Sequence, residues 1–549
     1  MKNGYNPIFT TYYKFSMEIK GIPFKKTGYF SNLISDYLDK KESLGPFYHR
    51  FPDLEGFREQ IAEKSGFAME NRKVLVQVLE DQYVNTDTSE SISTNISLLG
   101  KETSFTVVTG HQLNLFTGPL YFLYKIITTI NLARELKLAN PENDFVPIYW
   151  MATEDHDFEE INYFNFRGKK LQWNKKVSGA VGPMDTEGLE AVLEAFSHEM
   201  GNSINAKKLR EWFHRAYLEH DTLTDATRFL ANELFGEYGL VILDGNDARL
   251  KRLLVPYVKR DLSENTSYKK VVDTINSLQE LPEGYGIQVN PREINYFYLV
   301  DGIRERIVQE DGIYYVQGTK IRFNGEEILH ELENYPERFS PNVITRPLYQ
   351  EVILPNLCYV GGGGELAYWL QLKAMFKEMG VPFPILLLRN SALVITQKQY
   401  HKLERMDISV ADLFLKQSSL INKKIREISN IDIDFGPQRK YLAEQFEDLY
   451  TLAKETDATF LGAVKAQEVK QLKGLDNLEK RLLLAQKKKL EDQVKRMAEI
   501  QNQLFPNRSL QERNLNFSEL YLEYGDSFIP YLMQVLKPLA GDFTIVRMD

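Results

Sequence analysis

Ser104-Phe105-Thr106-Val107-Val108-Thr109-Gly110-His111-Gln112-Leu113-Asn114-Leu115-Phe116-Thr117-Gly118-Pro119-Leu120-Tyr121 is the stretch on which the fold is decided. Thr106 to Val108 read as a buried strand, Thr109-Gly110-His111-Gln112 as a tight turn, and the residues from Pro119 onward as an amphipathic helix with no charge in its first turn. A helix that begins against a strand end directs unpaired backbone N–H groups and the positive end of its dipole there. The expected guest is a phosphate or a carboxylate, with His111 and Gln112 placed to touch it.

Outward from this stretch, short apolar runs alternate with helical patterns from about residue 60 to about residue 415, the signature of a parallel sheet covered by helices. The expected strands are Phe105 to Val108, Val146 to Met151, Leu240 to Leu243 and Pro384 to Leu388. Each runs into polar or small residues, and ligands of open α/β sheets bind beyond the carboxyl ends of the strands. Residues 1–162, 236–282 and 336–412 are assigned to this core. Residues 163–235 read as a helical insertion and 283–335 as antiparallel hairpins around the turn Glu310-Asp311-Gly312, both as walls or lids with no catalytic cluster of their own. Residues 413–508 read as a coiled-coil arm, because Val469, Leu472, Leu475, Leu478, Leu482, Ala485, Leu490, Val494, Met497 and Leu504 recur mostly at steps of three and four. The helix carrying Tyr441, Phe446, Leu449, Leu452 and Phe460 is expected to fold back on it after Phe435-Gly436-Pro437, and residues 509–549 to return to the core.

At 549 residues with 43% hydrophobic side chains the chain can bury a large core. A net charge of -9 argues against nucleic acid as a partner, and Lys487-Lys488-Lys489 reads as a solvated face. No apolar run is long enough to span a membrane, and Met1-Lys2-Asn3-Gly4-Tyr5-Asn6-Pro7 lacks the apolar core of a secretion signal, so the cytoplasm is the expected compartment. Cys358 is the only cysteine, which excludes an internal disulfide and a cysteine zinc cage; its apolar neighbours make it a packing residue.

The second informative block runs from Val146 to Ile161. Here an apolar strand meets Glu154, Asp155, His156, Asp157, Glu159 and Glu160, charges that need a cation, an ordered network or water. Such groups suit deprotonating an amine or holding an ammonium, and His with carboxylates also leaves a divalent metal open. The third block is Thr345 to Trp369 with Gly361-Gly362-Gly363-Gly364, tolerable where a ligand or helix comes close and matching neither a dinucleotide fingerprint nor a P-loop; it is expected to lead into a helix from Glu365 to Met379. Arg346 and Arg389 beside strand-like runs can each form a planar fork on a carboxylate or phosphate.

Together the three blocks resemble the cysteine ligases that complete bacillithiol biosynthesis, the BshC family. The resemblance is carried by Thr109-Gly110-His111-Gln112 with Phe116 to Tyr121, by Trp150-Met151-Ala152 with Glu154-Asp155-His156-Asp157, and by Arg346-Pro347 with Tyr359 to Gly362, Gly364-Glu365 and Tyr368-Trp369. It implies an α/β, Rossmann-like nucleotidyltransferase-type core with inserted connecting subdomains, similar to class I aminoacyl-tRNA synthetases, and an antiparallel coiled-coil arm that joins two copies. The implied reaction links the carboxyl of cysteine to the amine of glucosaminyl-malate, with ATP or another nucleotide as the candidate activator and no metal assigned. His111, Gln112, Glu154, Asp155, His156 and Asp157 are the expected catalytic residues. Thr109, Gly110, Asn114, Gly118, Trp150, Arg346, Tyr359, Gly361, Gly362, Gly363, Gly364, Glu365, Trp369, Arg389 and Asn390 are the expected binding residues. The synthetases' second, lysine-rich signature loop has only Gln397-Lys398-Gln399 as a distant stand-in. A transferase for another amino acid on the same fold, or a nucleotide-binding scaffold without catalysis, fits the same residues.

Overall fold

Where the sequence offers its apolar runs, the computed structural model of the protein has five parallel strands: β1 (Ser104–His111), β2 (Asp144–Met151), β3 (Val241–Asp244), β4 (Asn356–Gly361) and β5 (Ile385–Leu388). It describes residues 19–548, so the N-terminal reading above falls outside the described residues. The strands lie in the order β3-β2-β1-β4-β5, every pair parallel. This is the Rossmann order, in which the chain leaves β1 in one direction and returns to the other side of it at β4. The reversal opens a crevice beyond the carboxyl ends of β1 and β4.

Two expectations change at this sheet. The segment from Thr109 to His111 is strand and not turn, because it pairs in register with Tyr149, Trp150 and Met151 of β2. The strand β4, next to β1, is absent from the expected set, since Asn356, Cys358, Tyr359 and Gly361 make no continuous aliphatic run. Both faces of the sheet are covered, and a core cluster joins Phe105, Val107, Leu357, Cys358, Val360, Ile385 and Leu387 to Phe57, Leu132 and Leu136. The helix α1 (Tyr121–Ala139), which crosses from β1 to β2, is buried on nearly every side. Its polar members are bound within the protein: Asn131 donates to the carbonyls of Met533 and Leu536 at 2.9 and 2.8 Å.

The segment 163–235 opens with a hairpin, Tyr163–Phe166 against Lys169–Gln172, before its three helices. Arg167 and Gly168, both at positive φ, make the two-residue turn whose twist suits a hairpin. In the segment 283–335, Tyr296–Val300, Ile303–Glu310 and Ile313–Val316 form an antiparallel meander, closed on one edge by Phe339–Pro341. The expected helix from Glu365 to Met379 is two helices, α2 (Gly363–Trp369) and Lys373–Met379.

The described residues divide into two compact units, residues 19–393 with 509–546, and residues 394–508 with 547 and 548. In the first, Asp542–Met548 pairs antiparallel with Ile19–Pro23 through its residues up to Val546. The second is helical: α3 (Gly436–Lys454), α4 (Ala458–Lys489) and α5 (Glu491–Leu504) follow Gln417–Ile428. α3 and α4 run antiparallel, with Arg439 on Asp476 at 2.9 Å, Tyr450 on Glu468 at 2.5 Å, and Phe446, Ala453 and Val464 packed together. The buried face of α4 includes Leu483 and Gln486, one residue on from the expected Leu482 and Ala485. Leu452, Phe460, Val469 and Leu478 stay exposed within the chain.

Candidate active site

At the switch point the chain gathers buried charge. Lys125, one turn into α1, donates from Nζ to the Gly110 carbonyl at 2.7 Å and pairs with Glu365 Oε2 at 2.7 Å. Tyr359 of β4 donates its hydroxyl to Glu365 Oε1 at 2.6 Å, and the Gly362 N–H donates to Glu365 Oε2 at 2.8 Å. Burial opposes ionisation of Glu365, but Lys125 and these donors outweigh it and hold the carboxyl below its usual range. Arg346 lies over the rings of Trp150 and Tyr359, donates Nη1 to Gln350 at 3.1 Å and interacts with the Tyr368 hydroxyl, and its Nη2 is buried with no close hydrogen-bond partner. A Cβ on Gly110 would stand 3.4 Å from the Tyr359 hydroxyl and 3.9 Å from Arg346 Nη1, so any side chain there would fill this corner.

Arg389, just past β5, is committed on one side. Its Nη2 pairs with buried Glu512 at 2.7 Å and its Nη1 donates to the Asn390 carbonyl and Ser391 Oγ. Its Nε is buried without a partner, 3.7 Å from where a Gly362 Cβ would be. Unmet donors on buried guanidiniums are costly unless an anion takes them.

The turn after β1 is strained. Phe116, Thr117 and Gly118 all have positive φ, and at Gly118 a Cβ would come within 2.6 Å of the Asn114 Cβ. Phe116 is wedged among Phe164, Phe196, Phe213 and Phe517, its N–H bound by the Tyr217 hydroxyl. Asn516 donates to the carbonyls of Phe116 and Gly118, both at 2.7 Å. The start of α1 is therefore less open than expected, since the Leu120 N–H already donates to the Leu515 carbonyl at 2.6 Å. His111 is buried against Tyr121 and Phe122. Burial, with Lys125 and Arg389 near, pushes its imidazole far below the ordinary range and keeps it neutral.

The loop after β2 forms the acidic wall. Gln112 bridges it to β1, donating to Asp155 Oδ2 at 2.9 Å and Glu160 Oε2 at 3.0 Å. Glu154 pairs with buried Lys251 at 2.8 Å, and Lys251 also donates to the Phe339 carbonyl. Thr153 donates to Asp244 at 2.5 Å, and burial raises the Asp244 carboxyl. His156 is half-exposed and receives Arg304 Nη1 at Nδ1, while Asp157 is more open still.

Two groupings thus stand at the carboxyl ends of neighbouring strands: Gly110, Trp150, Arg346, Tyr359, Gly362, Glu365 and Arg389 about the switch point with His111 buried near them, and Gln112 with Asp155, His156 and Asp157 beyond β2. Other expected residues hold the frame. Thr109 donates to the Val360 carbonyl at 2.7 Å, Asn114 to that of Glu160 at 3.2 Å, and Asn390 to that of Lys537 at 2.8 Å. Trp369 stacks beneath Tyr359, Gly361 is crowded by Leu366, Gly363 packs beside Ile34, and Gly364 faces outward near Gln288. Lys125, Lys251, Arg304 and Glu512 are not among the expected site residues: Lys125 and Lys251 lie within helices, Arg304 in a hairpin, and Glu512 in the tail, in the stretch Leu510-Gln511-Glu512-Arg513 that shares the family resemblance but carried no site role. Cys358 is buried, which raises its thiol far above the ordinary range. Among the described residues no group of three or more His, Cys, Asp or Glu is arranged to hold a metal ion, and no helix is long and apolar enough to cross a membrane.

Comparison with known proteins places this cleft in a family. Residues 17–390 match the model for the N-terminal Rossmann-like domain of bacillithiol biosynthesis BshC, and residues 392–548 match that for its C-terminal coiled-coil domain. A protein of Christiangramia forsetii named "Putative cysteine ligase BshC" is 59% identical over 96% of this chain and 98% of its own length. Proteins of the same name from Flavobacterium johnsoniae and Bacillus cereus (strain B4264) are 57% and 28% identical, covering 96% and 97% of this chain and 99% and 100% of theirs. A solved structure titled "putative arginyl t-RNA synthetase from Campylobacter jejuni" aligns at 11% identity over 86% of this chain and 98% of that one, with a TM-score of 0.21, too low to support an argument. The chain belongs to the BshC family of bacillithiol biosynthesis.

Proposed function

We propose that this chain is a ligase that joins the carboxyl of cysteine to the amine of glucosaminyl-malate, the last step of bacillithiol biosynthesis, through an activated carboxyl. The observation that supports the reading is two groupings of opposite character at the carboxyl ends of neighbouring strands: buried guanidinium donors of Arg346 and Arg389 about the switch point, and partly exposed carboxylates beyond β2. The names of its relatives point the same way. Joining a free carboxylate to an amine in water is uphill, so the carbon must first carry a better leaving group. The amine nitrogen then bonds to that carbon, the bond to the leaving oxygen breaks, and the amine proton passes to a carboxylate of the Asp155–Asp157 loop.

In this reading ATP or another nucleotide supplies the activation. The donors Arg346 Nη2 and Arg389 Nε fit a phosphate or a carboxylate, and they stabilise negative charge where it develops. His111, neutral and buried, shapes the strained turn beside them, while Gln112 ties that turn to the acidic loop. Holding amine and acyl carbon in one cleft supplies much of the acceleration. The apolar residues left exposed on α3 and α4 are the surface on which two copies pair, and the enzyme works in the cytoplasm.

Mass spectrometry of small thiols in a strain lacking the protein tests the reading. Bacillithiol should vanish and glucosaminyl-malate accumulate; undiminished bacillithiol overturns it.

A further inference from the structure

The hairpin segment contributes one side chain to the acidic wall. Arg304 leaves the strand Ile303–Glu310 and lies 4.2 Å over the Phe297 ring. It donates from Nε to Ser340 Oγ at 3.2 Å and from Nη1 to His156 Nδ1 at 2.5 Å. A guanidinium carries only donors and does not give up its proton. The His156 Nδ1 must therefore accept, and the ring's one proton is on Nε2. The His156 ring stands 5.5 Å from the same Phe297, which backs both partners.

The charged groups around the pair fit this polarity. On the loop of His156, Asp155 Oδ1 lies 3.7 Å from Nδ1 and Asp157 Oδ1 lies 3.9 Å from Nε2. Asp155 accepts the backbone N–H of His156 at 2.8 Å and stands 3.9 Å from Arg304 Nη1. Glu154, which also attracts Arg304, is held by Lys251. A histidine beside two carboxylates, without the arginine, would have the form of a base with its orienting acid. Arg304 occupies the lone pair that such a base would use.

We propose that Arg304 is a positioning residue that holds His156 as a neutral imidazole protonated at Nε2, so that His156 donates a hydrogen bond to an oxygen of the amine-bearing substrate and leaves proton abstraction to the carboxylates. The tautomer stands on the geometry alone; the substrate contact rests on the amide-forming reading.

Diethyl pyrocarbonate, which attacks an unprotonated ring nitrogen, tests the tautomer on the full chain with peptide mass spectrometry as the readout. His156 should react about tenfold more slowly than the open His198, and Arg304→Met should bring the two rates together, because the Nδ1 lone pair is then free. Equal rates in the unaltered protein overturn the proposal. Nitrogen-15 NMR of histidine-labelled protein, with His156→Gln to identify the signal, needs no arginine variant. It should show the Nε2–H pattern at neutral pH, and a proton on Nδ1 contradicts the proposal. In cysteine-adding assays His156→Ala should lower kcat/KM, and His156→Gln, whose amide N–H stands in for Nε2–H, should recover about fivefold of the loss. Equal losses in the two variants refute the donor role. Absence of cysteine-adding activity in the unaltered protein refutes the amide-forming reading instead and leaves the tautomer result standing.

Discussion

At the switch point buried Lys125 and Tyr359 join Glu365 and Arg346 in one ion-paired and hydrogen-bonded cluster, whereas one strand away the side chains of His156 and Asp157 are more open, with Asp155 held by Gln112 and His156 by Arg304. Buried charges strengthen one another and stay fixed, because every alternative position leaves an ion unpaired in a poor solvent. Open carboxylates keep water as a competing partner and can exchange protons with it. The first wall is suited to holding an anion in one place, and the second to receiving a cation and taking its proton.

Breaking the first wall should cost the most. Lys125→Met strands the Glu365 carboxylate and is expected to destabilise the protein by about 3 kcal/mol or more, with Glu365→Gln added to it restoring most of the loss. Chemical denaturation of the single and double variants measures this, and a double variant no better than the single one would show that the pair is not the source. Removing the anion contact should spare stability and strike turnover. Arg346→Met is expected to lower kcat/KM about 10²- to 10³-fold, read by steady-state kinetics beside a melting curve.

The next effect is a pH dependence that sharpens the contrast. His111 stays neutral in the folded chain, while the unfolded chain binds a proton near its ordinary value of about 6.5. The folded pKa is depressed, so this contribution is complete above about pH 6.5 and falls as the pH drops below it, by up to about 1.4 kcal/mol per unit. Urea midpoints at several pH values should show the slope in the unaltered protein and its loss in His111→Gln. The smallest effect belongs to the bridge between the walls: Gln112→Ala should cost about 1 kcal/mol of stability and loosen the acidic loop, visible as faster amide hydrogen exchange over residues 154–160.

What the sequence revealed follows the range of the forces involved. Strand β1 was legible as far as Val108 because a β-branched run is a local signal, and the acidic loop because charge density is visible wherever it sits; Thr109 to His111, which read as a turn, are strand because β2 pairs with them. Strand β4, beside the central β1, was not legible, since its place in the sheet depends on β1 lying next to it more than on its own residues. Lys125 is a single cation within the apolar first half of its helix, and Arg304 alternates with its neighbours as any strand residue does. Glu512 meets Arg389 across more than a hundred residues. Such pairings exist only once the chain is folded, and the partners that decide each group's protonation were the part that pattern could not supply. The Arg304 contact is the clearest case, because it changes the chemistry open to His156 without altering any motif.

The central claim is that one cleft seats an anion at the switch point and an amine at the acidic loop. The most direct measurement is a crystal structure with cysteine and glucosaminyl-malate bound. The account predicts a carboxylate or phosphate oxygen within hydrogen-bond reach of Arg346 Nη2 and the sugar amine beside Asp155 or Asp157; density for both ligands away from this cleft, or the amine against Arg346, would contradict it.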